Sequence, residues 1–302
     1  MDIQALAAEL GFAGCFVFTT EPFVQYERRL QDGALHWAAT NLTIDIMRDT
    51  PWANAILALI SPYHPYDETI PVSGYYPSSN AAYHASAKMM QAMQTEGIHA
   101  ARADVPVREL LTRNGIGTPL KNGLTFLPGL GTRYSVQTLV AQLPEPQFIP
   151  ERQPAETKCK SCHACEHVCP SGAIDAEGFH FNRCARSYME GSVMEPWVMD
   201  ALTTILGCEL CQRACVHNCG IETTAQMPEA FRLEEILAGR VKPVLAIVGN
   251  NLNKQGRIIQ HACVVAAKQG RTDLIPLIEP WLTDRREGVR VAAAYALEKL
   301  AQ

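Results

Sequence analysis

Nine of the chain's eleven cysteines fall between residues 159 and 219, and this crowding constrains the fold more than any other feature. The other two, Cys15 and Cys263, stand in apolar runs and read as small core residues. Disulfide scaffolds are normally short and secreted. This chain has 302 residues and opens on Met1-Asp2-Ile3-Gln4, with no basic region leading into an apolar run. Its length implies two or three domains, and 47% hydrophobic with 19% charged residues is ordinary for a chain that buries a sizeable core. No stretch approaches the roughly 18 consecutive apolar residues of a membrane span, so no membrane partner is expected. The cysteines therefore read as metal ligands in a reducing compartment, and the expected location is cytoplasmic.

Their spacing narrows the metal. Cys159, Cys162, Cys165 and Cys169, followed by Pro170, have the bacterial ferredoxin spacing. In that pattern three thiolates wrap one cubane and the fourth reaches a second cluster. A second full copy is absent. Cys208, Cys211 and Cys215 are one thiolate short, and Cys184 is the natural replacement. The crossing rule then assigns Cys159, Cys162, Cys165 and Cys215 to one 4Fe–4S cluster, and Cys169, Cys184, Cys208 and Cys211 to another. Cys219 is left as a non-ligand, and His163 and His167 read as surface residues of the loop. A four-cysteine zinc site does not explain the run that ends in Cys-Pro. With all eight thiolates used, the two clusters read as a wire for electrons.

The rest of the chain divides around this region. Residues 1–150 alternate helical and strand-like signals, as an α/β domain does. Asp2 is placed to cap a first helix, Phe12 to Phe18 and Ala55 to Ile60 read as strands, and Ser79 and Asn80 read as caps of a helix through Met93. Leu124 to Leu127 and Tyr134 to Leu143 read as two more strands. A polar linker, Pro144 to Thr157, leads into a ferredoxin-like double-cluster domain at 151–226. Residues 227–302 read as an all-α module of HEAT-like helices, with Asp273 and Asp284 at N-caps. This module carries 11 Lys and Arg against 8 Asp and Glu, a weak hint of an anionic partner such as RNA.

The order of these parts resembles the epoxyqueuosine reductase family, which is related to corrinoid-dependent reductive dehalogenases. Arg113-Asn114-Gly115-Ile116-Gly117 with Lys121-Asn122 is similar to the family's Arg-Ala-Gly-Leu-Gly and later Gly-Lys-Asn. Leu130-Gly131-Thr132-Arg133-Tyr134 sits where the family has a Phe-Gly-Ser-aromatic stretch, and Tyr83-His84 matches a Tyr-His. The resemblance implies a cobalamin bound between the α/β and cluster domains, contacted by Lys121, Asn122, Gly131, Thr132 and Tyr134. It also implies electrons from a flavodoxin- or ferredoxin-type donor, a tRNA-borne epoxide as substrate, and a tRNA contact on the helical module near Arg257, Arg285, Arg286 and Arg290. Asp104 and His84 are the candidate catalytic residues, Asp104 as proton donor. The sequence departs from the family at the pocket. Asp104-Val105-Pro106 is one residue tighter than the family's Asp-x-x-Pro, Ala101 stands at the family's spacing, and Leu120 replaces the Gly before Lys-Asn. Tyr75 to Asn80 replaces an acidic-aromatic loop. Such changes suit a paralogue with another substrate. The rival readings are a ferredoxin-like electron carrier without a corrinoid, and a reductase that activates another protein's corrinoid.

Overall fold

The computed structural model describes residues 1–31, 42–66, 72–220 and 225–302. Asp2 caps the helix Ile3–Glu9 by accepting from the backbone N–H groups of Gln4 (2.8 Å) and Ala5 (3.1 Å). The chain then turns into the strand Gly14–Phe18, which pairs with Ala55–Pro62. Ala55–Pro62 pairs in turn with Tyr134–Ala141, and Ala100–Arg102 forms the far edge. All three pairings are antiparallel. Among the described residues the domain is thus mixed α and β, but without the parallel βαβ units that an α/β reading implies.

Every residue from Ala55 to Ile60 is buried because both faces of this sheet are covered. Ile56, Ala58 and Ile60 pack with Phe23, Ile46, Leu110 and Leu111. Leu57, Leu59 and Leu139 pack on the other side with Ala7, Met89 and Met93. The two-residue period of a strand divides one apolar run between two cores. Met89 and Met93 belong to the long helix Tyr75–Thr95, which starts at Gly74. Ser79 and Asn80 therefore lie inside this helix and not at its cap. The reason is a tertiary bond: the Gly74 N–H donates to the Glu209 carboxylate at 2.8 Å and fixes an earlier start.

The cysteine region contains only short elements, chiefly the helices Ala164–Val168 and Leu210–Arg213 and the hairpin of Ile174–Asp175 with Gly178–Phe179. Its later part supplies Met189, Met194, Val198, Leu202 and Ile205 to a core shared with Phe231, Ile236 and the C-terminal helices. Within that core the helices Arg257–Lys268 and Glu287–Leu300 pack on each other. Gly288 is needed at the contact, since a Cβ there would lie 2.0 Å from the Ser192 carbonyl oxygen. His261 is buried in the same core, with both ring nitrogens facing carbonyls, those of Ile205 and Met189.

Two expectations for the helical module give way. Asp273 lies within the turn Thr272–Leu274, paired with Arg271, and Asp284 follows the turn Glu279–Thr283 and binds Arg286. Nearby arginines compete for both carboxylates, so neither is an N-cap residue. Three of the four arginines singled out in this module have partners. Arg257 is buried and donates to the Glu190 carbonyl at 3.1 Å, while Arg286 and Arg290 are engaged with Asp284.

Candidate metal centre and adjoining cleft

Eight cysteines fall around two neighbouring cavities. Cys159, Cys162, Cys165 and Cys215 line one, and Cys169, Cys184, Cys208 and Cys211 line the other, of about 170 Å³. Burial pushes the thiols of Cys165, Cys184, Cys208, Cys211 and Cys215 up, and neighbouring cysteines push them further. Cys165 feels Cys159, Cys215 and Cys162, whereas Cys211 feels Cys208 and Cys184 and then Cys165. The two groups are therefore adjacent. Thiols in such surroundings keep their protons until a cation replaces them, which is the condition under which metal binding drives folding.

The spread of the sulfurs bears on which metal group they suit. Tetrahedral zinc with bonds of about 2.3 Å draws its sulfurs to within about 3.8 Å of one another. Among the described residues no three cysteine sulfurs lie within 4.8 Å of one another. The groups suit the wider cage of an iron–sulfur cubane. Backbone amides also point at sulfur, with Lys121 N–H 3.2 Å from Cys159 Sγ and Ala173 N–H 3.3 Å from Cys169 Sγ. Such bonds favour the charge that a reduced cluster carries. The carboxylates and imidazole of Asp175, Glu177 and His180 do gather within 4.8 Å, but Arg183 already lies 3.1 Å from Asp175. Cys219 is exposed, and Cys15 and Cys263 are buried with thiols pushed up to about 12 by burial. His163 and His167 are exposed, His163 at the start of the helix Ala164–Val168 and His167 within it.

A buried polar network ties this region to the sheet domain. Gln212 donates through Nε2 to the Thr132 carbonyl (2.8 Å) and the Tyr63 hydroxyl (2.9 Å). Asn218 accepts from the Thr132 N–H (2.8 Å) and donates to the Gln212 carbonyl (2.7 Å). Gln212→Ala is expected to strand two buried groups at about 1–3 kcal/mol each. A thermal melt should show the loss as a fall of several degrees, and an unchanged midpoint would mean the network is solvated.

The candidate cofactor residues from the sequence sit beside the cysteines. Lys121 pairs with Glu166 at 2.5 Å, and buried Asn122 lines both cysteine cavities. Gly131 accepts from the Leu127 N–H, Thr132 belongs to the polar network, and the Tyr134 hydroxyl donates to the Thr125 carbonyl at 2.8 Å. None of the five lines the large neighbouring cleft.

That cleft, of about 730 Å³, lies between the helix Tyr75–Thr95, the segment after Cys184, and residues 245–252. Tyr75, Tyr76, Ser79, Asn80, Tyr83 and His84 form one wall, and Gln137, Arg186, Glu190, Asn250 and Asn251 help close it. Arg186 and Glu190 pair at 2.9 Å, one helical turn apart. Arg186 also lines the second cysteine cavity, so it is a wall common to both spaces. His84 thus lies in the cleft. Asp104 is exposed and does not line it, and the helix Val107–Arg113 begins at Pro106 without an aspartate cap. The sequence reading missed Arg186, Glu190 and residues 245–252. Only the position of Arg186, two residues past Cys184, hinted at any of them.

Residues 155–175 match the 4Fe-4S binding domain family, which defines the chain as an iron–sulfur protein. Curated relatives point further. The epoxyqueuosine reductase of Bacillus anthracis is 26% identical over 208 residues, 64% of this chain and 53% of that protein. That of Salmonella typhimurium is 31% identical over 121 residues, 38% of this chain and 30% of its own length. The solved epoxyqueuosine reductase of Streptococcus thermophilus superposes with a TM-score of 0.78 at 18% identity, over 99% of this chain and 89% of that one. A solved epoxyqueuosine reductase with a modified tRNA-Tyr stem loop superposes with the same score, identity and coverage. The chain is thus similar to epoxyqueuosine reductases in sequence over 64% of its length, and it shares their fold over nearly all of it. It spans about half the length of the curated relatives it matches. Among the described residues, no helix is long and apolar enough to cross a membrane.

Proposed function

We propose that the chain is an iron–sulfur oxidoreductase that passes electrons through two 4Fe–4S clusters to a cobalamin in the large cleft, for reductive chemistry on a tRNA-borne or similar substrate. One observation carries the reading. Arg186 lines both the cleft and the cavity of Cys169, Cys184, Cys208 and Cys211, so a ligand in the cleft has the second cluster as its neighbour.

The lining fits a corrinoid, a large ring rimmed with carboxamides. Asn80, Gln137, Asn250 and Asn251 offer amides, and Tyr75, Tyr76 and Tyr83 offer rings and hydroxyls. The charges of Arg186 and Glu190 offset each other at 2.9 Å, as suits a cofactor whose rim is neutral. When bound, the group would supply a strongly reducing metal centre for cleaving a carbon–oxygen bond. The chain's own residues do the rest. Cys159, Cys162, Cys165 and Cys215 would hold the first cluster, and Cys169, Cys184, Cys208 and Cys211 the second. Reduction of an epoxide also needs a proton at the departing oxygen, and His84 is the cleft imidazole placed to hold one. Asp104 lies outside the cleft and is not given that role. The solved stem-loop complex of a related fold supports tRNA as the substrate to try first.

Cobalamin added anaerobically to the reconstituted chain should change the visible spectrum and saturate at about one per chain. A spectrum that stays the sum of its parts would overturn the reading. His84→Gln should keep that binding and lose turnover of an epoxyqueuosine-bearing stem loop by about 10²-fold, the usual scale for general acid catalysis. Asp104→Asn should behave like the wild type. The reverse pattern would return the proton to Asp104.

A further inference from the structure

A second cleft, of about 520 Å³, is lined in part by Tyr26, Arg29, Pro106, Arg108, Glu109 and Phe179. Its size falls within the range of about 300–1,000 Å³ usual for small-molecule sites. Arg29 comes from the helix Val24–Gln31 and Arg108 from Val107–Arg113, so two separate elements bring two guanidinium groups to one space. Arg108 donates to the Gly123 carbonyl at 3.2 Å, and neither arginine forms an ion pair among the described residues. Partial burial and then the charge of Arg29 pull the Arg108 guanidinium below its ordinary range, so the two cations are close enough to repel. Glu109 lines the same cleft and is engaged elsewhere. Its carboxylate accepts from the Tyr26 N–H at 2.7 Å, and its charge acts on Arg113.

Two arginines that face one space, with no ion pair among the described residues, offer converging positive charge to an anion, and guanidinium geometry matches phosphate oxygens well. The same cleft has an aromatic wall. Phe179 is an exposed large hydrophobic residue at its rim, carried by the hairpin of the cysteine region. A phosphate site with an adjoining exposed ring has the features of nucleotide recognition, in which arginine meets the phosphate and an aromatic side chain stacks on the base. We propose that this cleft binds a mononucleotide, its phosphate between Arg29 and Arg108 and its base against Phe179. The site is separate from the large cleft and stands whether or not cobalamin binds there.

Calorimetric titration of the reconstituted chain with adenosine 5′-monophosphate tests it. Saturable binding is expected, with adenosine and inorganic phosphate each at least tenfold weaker. Arg29→Gln and Arg108→Gln should each weaken the monophosphate tenfold or more. Arg28→Gln, on the same helix but outside the cleft, should leave it unchanged. Phe179→Leu should weaken the monophosphate while leaving inorganic phosphate as before. A 5′-phosphorylated single-stranded oligonucleotide that displaces the monophosphate would identify the natural source as a nucleic-acid strand, and failure to displace it would identify a free nucleotide. Equal binding of adenosine and its monophosphate would overturn the proposal. So would phosphate binding as tightly as the nucleotide, or no saturation at millimolar concentration. Melting curves of the variants that match the wild type exclude unfolding as the cause.

Discussion

Anaerobic reconstitution with iron and sulfide is expected to load about eight iron and about eight sulfide per chain, two cubanes' worth. The expectation follows from two separate cavities, each lined by four cysteines. Cys184→Ser removes a thiol from the second group alone, so about four iron should remain. Cys219→Ser should change nothing, since that thiol is exposed and lines neither cavity. The apo chain should also melt well below the loaded one. Five of the eight thiols are pushed up by burial, so the metal must displace protons from sites where unpaired charge is costly. Zinc in place of iron, or about four iron in the wild type, would defeat the assignment.

The cysteine grouping was legible because ligand spacing is local and chemically strict. Cys184 was assigned to its group by counting alone, and the second cavity gathers it with Cys169, Cys208 and Cys211. The apolar strand Ala55 to Ile60 was legible for a similar reason, since burial on both faces leaves an unbroken run. Sheet direction was not, because alternating helix and strand signals look alike whether the strands run parallel or antiparallel. Caps were legible only where no other partner, local or distant, competed. Asp2 has none and caps its helix, whereas Asp273 and Asp284 are taken by arginines and Ser79 is overtaken by the Gly74–Glu209 bond.

The cleft was the least legible part, because its walls come from three distant stretches that share no motif. Tyr83-His84 was noticed through family resemblance. Nothing in residues 245–252 announces that they close a pocket against a helix some 160 positions earlier, yet the Asn80 side chain donates to the Ile247 carbonyl at 3.0 Å across that junction. Long-range packing of this kind leaves no periodic trace in sequence.

Ala246→Trp is therefore expected to separate cobalamin binding from cluster assembly. Ala246 is exposed, lines the cleft from the helix Lys242–Val248, and lies outside both cysteine cavities. An indole there would project into space that the cofactor needs. Forcing extra bulk into an occupied site costs about 1–3 kcal/mol, which corresponds to roughly five- to 150-fold in affinity. The iron content should stay at the wild-type value. Cobalamin should also raise the melting temperature of the wild type, because a ligand that binds only the folded chain stabilises it by mass action. That rise should shrink or vanish in Ala246→Trp at the same cobalamin concentration. If the variant instead binds cobalamin as the wild type does, the cofactor sits elsewhere. Lys121, Asn122 and Thr132 would then be the first residues to substitute, because the family resemblance places the cofactor against them.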